Sequence, residues 1–147
     1  MDNCYEALKL ERQLCFPLYA CAKEIVRRYQ PFLEPLGLTY TQYIALLVLW
    51  EHKTLTVKAL GEALYLDSGT LTPLLKKLEH TGLLTRTRRL QDERSVEITL
   101  TDAGLALREQ AAGIPQKLGA CIPVTPEEAQ ALYVTLYKIL GKPTRTE

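Results

Sequence analysis

Only two histidines and four cysteines occur in the 147 residues, and no two cysteines stand in a C-x-x-C spacing. A zinc cluster built from such ligands is therefore not expected, and no metal or cofactor is assigned to the chain. Long hydrophobic runs are missing too. The longest, Tyr43 to Trp50, falls far short of the ~20 apolar residues that span a bilayer. The stretch MDNCYEALKLER at the amino end is charged and polar, unlike a secretory leader. A soluble cytoplasmic protein with no membrane partner is expected. Structural disulfides are disfavoured in a reducing compartment. Cys4, Cys15, Cys21 and Cys121 are then buried fillers, or one of them is a reactive thiol. Net charge is also nearly absent, at +1, so any nucleic-acid footprint has to be a local basic patch.

What the chain does have is a change of period between Tyr65 and Thr101. Leu71, Leu74, Leu75 and Leu78 recur at i, i+3, i+4 and i+7, one stripe of an amphipathic helix. Asp67 or Ser68 suits its N-cap, and Gly82 suits a left-handed C-terminal cap. The other face carries Thr70, Thr72, Pro73, Lys76, Lys77 and His80. From Ser95 the period falls to 2, with Val96, Ile98 and Leu100 alternating with polar residues, as in a half-buried strand. Leu84 to Arg89 reads as its partner, with Arg86 and Arg88 on one face and a turn at Gln91, Asp92, Glu93 and Arg94. A polar-faced helix followed at once by a basic hairpin is the pattern of a winged helix-turn-helix. Its helix suits a major groove and its hairpin the adjacent minor groove. Short hydroxyl side chains on the helix face allow close approach to phosphates and base edges.

The flanks fit around that core. Tyr5 to about Leu36 reads mostly helical, with a helix start or kink near Cys15 because Pro17 lacks an N–H. Leu14, Leu18, Cys21, Ile25 and Phe32 form a stripe, Cys21 being expected in the core. Pro31 and Pro35 break the helix towards Gly37. Thr39-x-x-Gln42 is a capping box for Tyr40 to about His52, apolar nearly all round and hence the buried centre. Thr56 caps a short helix bearing Val57, Leu60 and Leu64, joined to the polar-faced helix through Tyr65 to Ser68. Thr101 caps a long helix with Leu107, Ala111, Ile114 and Leu118, bent at Pro115. Thr125-Pro126-Glu127-Glu128 starts the last helix, which Gly141 ends. The expected fold is mainly α (α+β), one domain over 1–147. About 40–101 forms the winged core, and about 1–36 and 102–141 form dimerisation helices. A two-fold dimer suits a reader of two half-sites about one helical turn apart.

Asp92-Glu93-Arg94 followed by Ile98-Thr99-Leu100-Thr101 resembles the D-x-R…LT wing signature of MarR-type repressors. LERQLCFPLY from Leu10, LTYTQYIALLVLWEH from Leu38, LTVKALGEALYLDSGTLTPLLKKLE from Leu55 and DERSVEITLT resemble its organic hydroperoxide sensor branch, up to about Gly113. The resemblance implies a homodimeric repressor, not an enzyme, that leaves a pseudo-palindromic double-stranded operator when Cys15 is oxidised by an organic hydroperoxide. It also implies tyrosine hydroxyls on the sulfur, at Tyr19, Tyr29 and Tyr40. Tyr19 is one turn from Cys15. Tyr29 is fourteen residues on, about 21 Å along a straight helix, so it reaches only the other subunit's Cys15.

The thiolate is the reacting form, and a helix start near Cys15 favours it. Oxidation gives a sulfenic acid that condenses with a second thiol, either a small cellular one or Cys121 across the dimer. On the DNA side the resemblance places Ser68, Thr70 and Thr72 in the major groove and Lys76 and Lys77 on phosphate. Arg94 enters the minor groove, held by Asp92, while Arg86 supports the wing. Pro17 inside the sensor motif departs from the pattern. Two alternatives stand beside this reading: a repressor gated by a phenolic ligand, with Cys15 inert, and a thiol peroxidase. The peroxidase lacks its usual βαβ pattern here.

Overall fold

The computed structural model describes residues 5–142, the side chains of Glu93 and Arg94 excepted. Cys4 lies outside the described residues. The chain forms two compact units, Met1–Ile114 and Pro115–Glu147. In the first, two short 3-10 turns lead to α1 (Cys15–Leu33), and a third, Glu34–Leu36, ends at Gly37 with φ 67°. Then come α2 (Tyr40–His52), β1 (Thr54–Thr56), α3 (Val57–Leu64), α4 (Ser68–His80), β2 (Leu84–Arg89), β3 (Asp92–Leu100) and α5 (Asp102–Ala111). Beyond them, α6 (Ile114–Ala120) begins at the boundary and α7 (Pro126–Leu140) lies in the second unit. No single helix among the described residues is long and apolar enough to cross a membrane.

Each helix start in the core is closed by a side chain taking up an otherwise orphaned N–H. Thr39 and Gln42 form the reciprocal capping box of α2. Thr56 accepts from the Ala59 N–H, Asp67 from Thr70 and Thr101 from Gly104. The Leu71, Leu74, Leu75 and Leu78 stripe is buried as its spacing requires, and Gly82 adopts φ 77° behind α4. These leucines pack with Tyr43, Leu46, Leu49 and Trp50 of α2, Leu60 of α3, Leu84, Ile98 and Leu107. Burial of each large side chain contributes roughly 1.5–3 kcal/mol. α2 is therefore the centre on which the helix-turn-helix and the hairpin are hung. The sheet is antiparallel in the order β1–β3–β2, so β2 is an edge strand. Fold class and winged architecture follow the expectation from the sequence.

Five local readings are corrected. β1, unread in the sequence, pairs Thr54–Thr56 with Glu97–Thr99; three residues are too few to show a period. The hairpin turn is Leu90–Gln91, and Asp92 to Arg94 already belong to β3, with a register shift between Arg88 and Arg89. α1 runs through Pro31 to Leu33, because a proline in the last turn costs one backbone bond without ending the helix. The helix after Thr101 does not bend at Pro115 but stops at Ala111 and restarts at Ile114. Pro115 then sits in a first turn, where its missing N–H costs nothing. Cys21 is exposed rather than in the core. Leu14 and Leu18 on the same stripe are exposed too, since α1 meets the core through its second half, at Tyr29, Phe32 and Leu33.

Candidate functional site

Two sets of residues stand out, a polar surface on α4 and the hairpin, and a thiol at the start of α1. On α4, Ser68, Thr70, Lys76 and Lys77 are exposed and Thr72 is half-buried, all opposite the leucine stripe. Asp67 fixes the helix start through its 2.8 Å contact with the Thr70 N–H. The Thr72 hydroxyl donates to the Ser68 carbonyl at 2.8 Å, leaving its oxygen lone pairs outward as acceptors. Tyr65, with φ 56°, makes the sharp turn from α3. Gly61 makes that turn possible: a Cβ there would lie 2.7 Å from the Leu66 carbonyl. Positive charge and hydroxyls facing outward from a rigidly seated helix give a surface suited to a polyanion.

On the hairpin, the Glu79 carboxylate takes both the Arg86 backbone N–H at 3.0 Å and its Nη2 at 3.1 Å. The Arg86 guanidinium holds the Glu79 carboxyl below the usual carboxylate range. Arg89 donates to Glu97 at 3.0 and 3.1 Å. Arg88, which the sequence reading left out of the site, is exposed and makes no ion pair among the described residues. The alternation along β2 had placed it on one face with Arg86, but no role was given to it. Asp92 is exposed at the start of β3, and the Arg94 side chain lies outside the described residues. The structure thus brings Ser68, Thr70, Thr72, Lys76, Lys77 and Arg86 onto one connected helix-and-hairpin module.

The thiol site is spread along α1. Cys15 is the first residue of that helix and is exposed, where backbone N–H groups without partners favour an anion. Pro17 sits within the first turn. Tyr19, one turn on, is exposed with the Lys23 ammonium 5.2 Å over its ring. Tyr29 does not accompany them. It packs at the far end of α1 against Tyr40 and Tyr43, with ring centroids 4.8 and 5.5 Å apart. Burial, and after it the neighbouring Tyr40 and Tyr43, pushes the Tyr29 phenol up to about 12. Burial raises Tyr40 and Tyr43 as well. All three are therefore neutral O–H donors near pH 7. An open hollow beside α1, lined by Phe16, Tyr19, Lys23, Leu38 and Tyr40 among others, runs between the two ends. Cys121, exposed in the second unit, donates weakly to the Lys117 carbonyl at 3.4 Å. No three His, Cys, Asp or Glu side chains converge on a metal position among the described residues.

The chain is similar to known transcriptional regulators. Residues 27–110 match the family described as transcriptional regulator SarA/Rot. The organic hydroperoxide resistance transcriptional regulator of Bacillus subtilis is 51% identical over 140 residues, 95% of each chain. Reduced AbfR of Staphylococcus epidermidis, solved bound to DNA, is 36% identical with a TM-score of 0.78, over 92% of this chain and 95% of that one. A MarR mutant of E. coli complexed with operator DNA is 26% identical with a TM-score of 0.74, over 86% and 93%.

Proposed function

The chain belongs to the MarR family of winged helix-turn-helix transcriptional regulators, in its organic hydroperoxide branch, and on that premise we propose that Cys15 is its peroxide-sensing thiol and that the sensing site is shared by two copies of the chain. The relatives are transcriptional regulators, and AbfR and MarR are solved on DNA; the protein is a DNA-binding regulator and not an enzyme.

One observation carries the shared site. Cys15 and the Tyr29–Tyr40 pair stand at opposite ends of α1, fourteen residues or about 21 Å apart. No phenol of that pair reaches the sulfur of its own chain. A second copy related by a two-fold axis, its α1 lying antiparallel in the hollow from Phe16 to Tyr40, brings each Cys15 to the other copy's tyrosines. The exposed Leu132, Ile139 and Leu140 of α7 supply further apolar surface for such a dimer.

The chemistry follows from the donors. The Cys15 thiolate attacks the terminal peroxide oxygen; an S–O bond forms and the O–O bond breaks. The departing alkoxide takes a proton from a phenol or water and leaves as an alcohol. The resulting sulfenic acid condenses with a second thiol, forming S–S and releasing water. That thiol is Cys121 of the other copy or a small cellular thiol. An oxidised adduct in the shared site shifts one protomer against the other, and with it the spacing of the two α4 helices. A hundredfold loss of operator affinity needs only about 3 kcal/mol of difference between the two states.

On the DNA, Ser68, Thr70 and Thr72 read the major groove and Lys76 and Lys77 neutralise phosphate. Asp92, Arg94 and the exposed Arg88 serve the wing in the adjacent minor groove. The operator is then pseudo-palindromic, matching the two-fold axis.

The test is operator-fragment binding by wild type, Cys15→Ser and Cys121→Ser, with and without cumene hydroperoxide, and non-reducing gels alongside. Wild type releases DNA on oxidation and Cys15→Ser does not. A cross-linked band that vanishes in Cys121→Ser identifies the second thiol. Release by Cys15→Ser equal to wild type refutes the sensor and leaves a ligand-gated repressor.

A further inference from the structure

The Glu79 carboxylate is out of place on a DNA-binding surface. It stands in the last turn of α4, beside the side chains that face phosphate, and like charge there opposes binding. Its geometry explains its presence. One carboxylate oxygen accepts the Arg86 backbone N–H at 3.0 Å, and the other accepts Arg86 Nη2 at 3.1 Å. Because β2 is the edge of the sheet, that N–H points off the sheet and has no strand to meet. Arg86 Nε is buried in the same contact with no acceptor of its own, so the guanidinium is turned inward against α4. Thr87, Arg88, Arg89 and Leu90 beyond it are all exposed. Glu79–Arg86 thus ties the last turn of α4 to the hairpin just before its exposed, projecting end.

We propose that Glu79 and Arg86 are a positioning pair that sets the angle of the wing against the recognition helix, and that Arg86 makes no phosphate contact. This rests on α4 being the recognition helix and the hairpin the wing. The leverage is large. Four residues separate Arg86 from Leu90, about 13 Å of strand at 3.3 Å per residue. A tilt of 10° at the clip then moves the tip roughly 2 Å, a third of the ~6 Å width of a minor groove. The major-groove contacts, made by residues earlier on α4, do not depend on that angle.

The two roles open to Glu79 predict opposite signs. As a mere surface charge, its removal relieves repulsion from phosphate and frees Arg86, so Glu79→Ala binds more tightly with a steeper salt dependence. As a positioning residue, its removal weakens binding.

The measurement is the affinity of wild type, Glu79→Ala, Glu79→Gln, Arg86→Ala and the double variant. Two DNA fragments are used, a full operator and one shortened to remove the segment under the wings. The expected result for Glu79→Ala is a loss of about tenfold on the full operator and none on the short one, with fading minor-groove protection from hydroxyl radicals. Glu79→Gln, which keeps an acceptor for the backbone N–H, loses less. Arg86→Ala weakens binding without lowering the salt slope, whereas a lost phosphate contact lowers it by about one. The double variant is no weaker than the worse single, because the two residues form one unit. Far-UV circular dichroism on each variant shows that the folded state is being compared. Equal or tighter binding by Glu79→Ala, or an equal loss on both fragments, overturns the proposal. If wild type binds both fragments alike, the wing reading itself fails, and the clip with it.

Discussion

Replacing Gly104 with alanine sets helix propensity against close packing, and the distances decide which wins. Gly104 is in the first turn of α5 and is buried. Propensity alone favours alanine by about 1 kcal/mol. A Cβ at this position, however, would lie 2.0 Å from the Leu83 carbonyl oxygen, 3.0 Å from its carbon and 2.9 Å from Leu100 Cδ2. The leucine side chain yields; the Leu83 backbone does not, since its carbonyl also accepts the Thr101 N–H at 3.2 Å. α5 must therefore move by an ångström or more. That strains the cap from Thr101 and stretches the buried 2.8 Å bond from Trp50 Nε1 to the Gly104 carbonyl. Overpacking costs about 1–3 kcal/mol and a buried polar group left unpaired about 1–3 more. Against the propensity gain, Gly104→Ala is expected to lose about 1–5 kcal/mol. Urea unfolding followed by far-UV circular dichroism measures this. Trp50, the chain's one tryptophan, reports the displacement locally as red-shifted emission. Gly119→Ala is the matched control: its Cβ meets nothing within 4 Å, so a gain of a few tenths to about 1 kcal/mol is expected. A Gly104→Ala protein as stable as wild type, with unchanged emission, refutes the reasoning.

Other expectations follow from single contacts. Asp67→Ala removes the acceptor for the Thr70 N–H and the acid at the start of α4; about 1 kcal/mol of stability is lost and operator affinity falls with it. Lys76→Ala and Lys77→Ala each lower the slope of log affinity against log salt by about one, where a purely structural role leaves the slope unchanged. Glu24, held near pKa 2 by hydrogen bonds from Arg27 and then Arg28, adds stability above its ordinary value of 4.5. That contribution is lost as pH falls from 4.5 towards 2. The urea midpoints of wild type and Glu24→Gln therefore differ slightly at pH 7 and converge near pH 2.

Much of this molecule was legible one residue at a time. The leucine stripe of α4, the boundaries of α2 and the caps at Thr39, Thr56, Thr101 and Thr125 are local facts. A helix period and a cap involve neighbours within four positions, and the chemistry of each residue determines them. The polar face of α4, with its outward hydroxyls and lysines, followed from the same spacing. A helix start or kink near Cys15 was readable from the position of Pro17, and α1 does begin there.

Tertiary structure decided whatever depended on partners distant in sequence. β1 exists because β3 is beside it, not because Thr54–Thr56 declare a strand. The sequence stripe through Leu14, Leu18 and Cys21 said apolar, but only the docking of α1 by its second half determined that this end stays uncovered in the single chain. Tyr29 and Tyr40 are eleven residues apart across a helix break, and the fold brings their tilted rings to a centroid distance of 4.8 Å. The Glu79–Arg86 clip likewise depends on the turn at Gly82 folding β2 back along α4. Spacing along a chain determines which face a side chain occupies; which face meets which is determined by how the elements bury their apolar stripes against one another.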